Sequence, residues 1–194
     1  ATYLAHRTEA QIQRRAVVAG VGAAMVMVVA FVAAGLWLQG MEGYRISSAV
    51  QTAALPDPLS KTVVREPGAW MANYAAWPAL WALPALGVAG ALAAAALLAA
   101  RRTLSAFVAS SLAVVGVIGT AGASMFPFVM PSSTHLASSL TVWDSVSSHK
   151  TLGIMFWATL IFMPLIVTYT SWAYRVMRGK VTEAYIREND HAAY

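Results

Sequence analysis

Apolar residues run along this chain in four long blocks rather than in alternation. Residues 16–41, 67–100, 103–143 and 151–174 contain no Asp, Glu, Lys or Arg, and each can hold the roughly 20 apolar residues with which a helix crosses a bilayer. Continuous runs exclude a transmembrane barrel, whose strands alternate over about 10 residues. The pattern predicts an all-α membrane protein. It is a four-transmembrane-helix bundle, a single membrane unit over 1–194, with spans at about 16–39, 78–100, 104–129 and 151–177 and a long outer loop after the first. Pro78 suits a first helical turn. Pro84 is expected to bend the second span, Pro127 and Pro131 to close the third, and Pro164 to kink the fourth near residues 160–164. In the outer loop, Asp57 followed by Pro58 resembles a helix start, and 60–74 has enough apolar residues for a short surface helix.

Composition agrees with the pattern: of 194 residues 59% are hydrophobic and 11% charged, with a mean hydropathy of +0.61. Such a chain is neither a soluble globule nor intrinsically disordered. A net charge of +5 would suggest nucleic acid in a soluble protein, but here the bases flank the apolar runs, and no nucleic-acid partner is expected. Nine of the thirteen bases (Arg7, Arg14, Arg15, Arg101, Arg102, Arg175, Arg178, Lys180, Arg187) fall on one side and four (Arg45, Lys61, Arg65, Lys150) on the other. By the positive-inside rule both termini then face the cytoplasm. Trp37, Tyr44, Trp70, Tyr74, Trp77, Trp81 and Trp143 mark the outer boundary, and Tyr169, Trp172 and Tyr174 the inner one. Arg175, Arg178 and Lys180 are placed to hold the fourth helix at anionic headgroups of the membrane lipids. The chain opens on Ala1 and its first fifteen residues are too polar for a signal peptide, so a processed chain or a piece of a longer one is expected.

Small residues show how the spans can touch. Gly20 with Ala24, Ala30 with Ala34, Gly87 with Ala91, and Gly116, Gly119, Gly122 and Ala123 form close-approach faces. Candidate chemistry is sparse. The spans carry no charge at mid-depth, which argues against ion coupling. His6 and His191 lie in the tails and His135 and His149 outside the spans, so no histidine is placed to ligate a buried haem. Methionines 25, 27, 125, 130, 155 and 163 read as packing residues. His135, Asp144 and His149 match no metal-ligand spacing, and zero cysteines exclude thiolate sites. No catalytic, cofactor-binding or metal residue is assigned. Arg65 and Glu66 read as a loop ion pair or a subunit contact, and Trp70, Trp143 and Asp144 as contact or cavity residues. A small transporter or channel subunit is the competing class.

Five segments carry a resemblance to a known family: VVREPGAW (63–70), WALPALG (81–87), MFPFVMPSS (125–133), LTVWD (140–144) and YTSWAYRVMRGKVT (169–182). In this order they resemble the C-terminal half of subunit II of cytochrome bd-type quinol oxidases. The likeness runs from Ala1 to the terminal tyrosine. It implies an eight-span subunit of two four-helix bundles, of which this chain supplies one, the N-terminal half of subunit II being a partner. It implies a heterodimeric complex of the bacterial inner membrane, with a haem-bearing subunit I and a small accessory subunit as further partners. That complex oxidises ubiquinol or menaquinol and reduces oxygen to water, an oxidoreductase whose b and d haems sit on subunit I. This half is expected to act as a scaffold against subunit I and to line a quinone or proton cavity.

Overall fold

The computed structural model describes residues 1–8, 10–49 and 57–176, which divide along the chain after Asp144 into two compact units. Among the described residues four helices are long and apolar enough to cross a membrane, as the apolar blocks predict. Arg178, Lys180, Arg187 and His191 lie outside the described residues.

The first unit opens with a short helix, α1 (Thr2–Arg7), which the sequence reading leaves as a polar tail. It lies against α2 (Ala10–Leu38) and α5 (Thr103–Met125) because Ala5, fully buried, offers no side chain to keep them apart. Thr2 Oγ1 meets Ser110 Oγ at 3.2 Å, and Gln13 Nε2 donates to the Ala5 carbonyl at 3.0 Å. Helix α2 starts six residues before the expected span, since Gln11, Gln13, Arg14 and Arg15 are all good helix formers. At 29 residues it is about 44 Å long.

Helix α4 (Ala82–Ala99) follows a 3-10 turn, Pro78–Trp81. Pro84 is the third residue of α4, beside the change from 3-10 to α winding, where a missing N–H is least felt. Helix α4 then returns through a tight turn into α5. Arg102 N–H donates to Leu97 O at 2.8 Å and Arg101 N–H to Leu98 O at 3.0 Å, the paired bonds of a Schellman cap. Arg101 occupies its left-handed position with φ 58°, where glycine is the usual residue and any other costs about 1 kcal/mol.

Helices α4 and α5 touch backbone to backbone. A Cβ added at Gly116 would stand 2.7 Å from Gly87 Cα and from Leu83 O, and one at Gly90 would stand 2.8 Å from Ala113 N. Ala91, Ala94, Ala109 and Ala113, all buried, extend the seam. Gly20 of α2 meets Leu98, 2.8 Å from its would-be Cβ, and Leu98, Ala5, Ala16 and Ala106 form a small core at that end. Gly122, by contrast, meets nothing within 4 Å.

Two corrections concern the loops. Residues 60–74 are not one surface helix. Strand β1 (Glu42–Ile46) pairs antiparallel with β2 (Val63–Pro67), Ile46 opposite Val63 and Glu42 opposite Pro67. The β-branched Val63 and Val64 favour a strand, and Gly68, at φ 72°, turns the chain before a 3-10 turn at Ala69–Met71 and the short helix α3 (Ala72–Ala76). Asp57 does cap a helical turn, accepting from Leu59 N at 3.0 Å, but that turn is 3-10 and three residues long. The third span ends at Met125 rather than 129. Pro127 pushes Phe126 to an extended conformation (φ −56°, ψ 133°), and β3 (Phe128–Met130) follows, pairing with β4 (Leu140–Thr141).

The second unit contains α6 (His149–Val176). Its residues are apolar around the whole circumference, as suits a span in lipid. The helix continues through Pro164, which removes the bond its N–H would make to Leu160 O.

The seam between α4 and α5 generates a prediction. Gly116→Ala is expected to destabilise the detergent-purified protein by about 1–3 kcal/mol, whereas Gly122→Ala leaves its thermal midpoint within a degree or two of the parent or raises it. Equal midpoints for both variants would show that the seam does not hold the hairpin together.

Candidate functional site

At the end of the first unit opposite the Arg101 turn, α2, α4 and α5 diverge and leave an apolar cavity of about 800 Å³. Phe31 and Leu38 of α2, Trp81 of the 3-10 turn, Val88 of α4, and Val117 and Thr120 of α5 contribute walls, while Trp70, Tyr74 and Pro131 close over it. Its size and lining are those of a small-molecule pocket. Two hydroxyls beside it are occupied: Tyr74 Oη donates to Thr120 O at 2.9 Å, and Thr120 Oγ1 to Gly116 O at 2.7 Å.

Ending α5 at a proline leaves carbonyls that must find donors. The neighbouring α3 and the backbone after β4 supply them. Asn73 Nδ2 donates to Ala123 O at 2.8 Å and to Phe126 O at 2.6 Å, Tyr74 to Thr120 O, and Val142 N–H to Pro127 O at 2.9 Å. Asn73 is absent from the sequence-based candidates, since an amide in an apolar stretch reads as surface until the carbonyls it meets are known.

An outer cap sits over this end. Tyr44, Trp70 and Phe128 form a ring cluster with centroids 5.5 to 6.4 Å apart. Gly43 permits it, because a Cβ there would lie 2.7 Å from Trp70 N. Arg65 Nη2 donates to Ser133 O at 3.1 Å, with its guanidinium 5.8 Å from the centre of the Tyr44 ring. Arg65 and Glu66 therefore do not pair with each other: adjacent strand residues point to opposite faces, and Glu66 instead meets Arg45 at 3.0 Å across the hairpin in an exposed pair. Trp143 packs edge-on against Phe126 at 6.1 Å.

Asp144 turns inward. Lys61 Nζ lies 2.7 Å from its Oδ2, with the two side chains 5% and 10% exposed. Thr141 Oγ1 and Thr141 N–H donate to the same oxygen at 2.6 and 2.9 Å. Burial pushes the Asp144 carboxyl up, but the Lys61 ammonium and the two Thr141 donors outweigh it and hold the group below its ordinary value of 3.8. Lys61, absent from the sequence-based candidates, joins the connection between β1 and β2 to the segment that closes the unit. Among the described residues no three His, Asp or Glu converge as a metal site. Arg65, Trp70, Trp143 and Asp144 thus share one cap. Glu66 stands on its exposed rim.

The family model for cytochrome bd terminal oxidase subunit II matches residues 1–177. The chain belongs to that family. It is 45% identical over 195 aligned residues to cytochrome bd-I ubiquinol oxidase subunit 2 of Escherichia coli strain K12, covering 100% of this chain and 52% of that protein. It is 43% identical over 187 residues to a probable cytochrome oxidase subunit 2 of Haemophilus influenzae, covering 96% of this chain and 49% of that one. A cytochrome bd ubiquinol oxidase subunit 2 of Bacillus subtilis is 37% identical over 65 residues, 34% of this chain and 19% of that protein. The chain spans about half the length of the Escherichia coli and Haemophilus influenzae relatives. The matched region of this subunit II family member contains the hairpin, the cap and all four long helices.

The Lys61–Asp144 pair yields two predictions. Lys61→Met or Asp144→Leu alone strands one buried charge and is expected to cost about 3–5 kcal/mol, while the double variant recovers most of the loss. Chemical denaturation of the three variants measures this, and additive losses would refute coupling. The pair's contribution is fully present above pH 3.8, because the depressed carboxyl stays ionised there. It is lost as the pH falls through the lower folded value. Acid unfolding of the parent should therefore be steeper below pH 3.8 than that of the double variant.

Proposed function

We propose that this chain is a four-span half of the non-haem subunit II of a bacterial inner-membrane oxidase, which with a haem-bearing subunit I oxidises quinol and reduces oxygen to water. The observation that carries this is the family match over 1–177, which takes in the four apolar helices in order. The name of the Escherichia coli relative, a ubiquinol oxidase subunit, supports quinol as the electron donor. The distribution of bases supports termini on the cytoplasmic side.

The role assigned to this half is that of a wall. In the first unit α2, α4 and α5 pack together, and their outward residues, among them Val26, Val29 and Leu36 of α2 and Val114, Val115 and Ile118 of α5, are exposed in the isolated chain and suit partner helices and lipid. Among the described residues the histidines do not fit axial haem ligation. His6 Nδ1 is engaged by Thr103 Oγ1 at 3.0 Å, His135 precedes an outer 3-10 turn, and His149 is the first residue of α6. No haem is assigned to this chain, and no electron-transfer step is routed through it.

The cavity of about 800 Å³ favours a second role for the same half, holding a quinone. A planar ring with an isoprenoid tail needs an apolar, aromatic-walled space of that order, and Trp70, Tyr74 and Trp81 line this one.

Removing the segment from the purified complex is expected to abolish haem retention and quinol-dependent oxygen uptake together, and survival of both would refute the wall. An azidoquinone should label residues 70–88 or 117–131, and Ala85→Trp, which fills the cavity, should suppress that labelling at least several-fold. Labelling that ignores Ala85→Trp would place the quinone elsewhere.

A further inference from the structure

At the end of the first unit away from the cap, the early turns of α2 meet the turn between α4 and α5 and leave a groove of about 170 Å³. Arg14 and Arg101 stand on its two rims, and Gln13 and Thr103 complete the polar edge. Those last two are already engaged, Gln13 with Ala5 O and Thr103 with His6, each at 3.0 Å. Arg14 and Arg101 are exposed and, among the described residues, have no side-chain partner. Two guanidinium groups therefore face one small groove with no anion from the described chain between them.

Two further observations narrow the ligand. Arg101 holds the left-handed position of the Schellman cap, φ 58°, where glycine would serve the turn better. The turn itself has no use for a guanidinium, and a residue kept in an unfavoured conformation points to a role outside local folding. The floor of the groove is apolar: Val17 and Val18 of α2 form it, and Val18 is 68% exposed along the flank of a membrane span. Arg15 and Arg102 beside the rims raise the local positive potential. Paired cations at the end of a span, opening onto an apolar flank, match a phosphate group joined to an acyl chain.

We propose that this groove binds an anionic phospholipid, with Arg14 and Arg101 straddling its phosphodiester and an acyl chain lying over Val17 and Val18. The site depends on the helices crossing a bilayer and not on the oxidase assignment.

The test uses the full complex in phosphatidylcholine nanodiscs with a trace of photoactivatable phosphatidylglycerol, set against a matched photoactivatable phosphatidylcholine. The anionic probe is expected to label residues 14–18 and 99–103 several-fold more than the zwitterionic one. Arg14→Gln combined with Arg101→Gly should reduce the anionic labelling roughly tenfold, the effect of removing two bases near a membrane surface after partial screening. Arg101→Gly relaxes the turn, so the fold is kept, and an unchanged thermal midpoint checks this. Arg45→Gln, on the cap, should leave labelling as it was, and Lys at both positions should retain most of it. Equal labelling by the two probes would make the groove a site of ordinary annular lipid. Labelling indifferent to the double variant, or competed away by millimolar inorganic phosphate, would equally overturn the lipid assignment.

Discussion

Within lipid, apolar side chains gain little by leaving one apolar neighbour for another, so helices are held by close backbone approach and by interhelical hydrogen bonds. In this chain the approach is made where Gly87 and Gly90 of α4 meet Gly116 and Ala113 of α5. Everything described around the first unit follows from that seam. It fixes the spacing at which α2 leans on Leu98, it brings α1 onto Ser110, and it leaves α5 to run on past the start of α4 far enough for α3 to reach its last carbonyls.

The two ends of that hairpin solve different problems. At the cap the difficulty is a helix stopped by Pro127 with unsatisfied oxygens, and the answer is neutral: one amide, one phenol and a backbone N–H. Buried charge enters there as a pair, Lys61 with Asp144, backed by Thr141, while the Arg65 guanidinium is held by Ser133 O and the Tyr44 ring. At the Arg101 turn the carbonyls are satisfied by the backbone itself, which leaves the guanidinium groups disposable for something outside the chain. The apolar cavity lies between the cap and the seam, so its volume depends on both.

Much of this was legible in the residues. The four spans were, because charge-free runs of that length have few other fates in a folded protein. The close-approach faces were legible at Gly87 and Gly116 but not at Gly122, since small-residue spacing alone does not say which face of α5 meets a neighbour. The cap was legible only in part. Trp70, Trp143 and Asp144 were marked as contact residues, yet Lys61 lies 83 positions from the Asp144 it pairs with, and Asn73 lies 53 positions from the Phe126 carbonyl it holds, distances over which local periodicity carries no information. The hairpin at 42–67 was hidden for a related reason. A five-residue strand with one polar face has the same composition as a turn of surface helix, and Gly68 decides between them only through its backbone angle.

Asn73 has a consequence of its own. Both hydrogens of its amide are spent on carbonyl oxygens, 2.8 and 2.6 Å away, so nothing but a nitrogen can occupy that corner. Should the side-chain amide be hydrolysed as the protein ages, taking up water and releasing ammonia, a carboxylate would replace it and an anion would press against two oxygen lone pairs. A pin would become a wedge at the mouth of the bundle, through a chemical change of one mass unit.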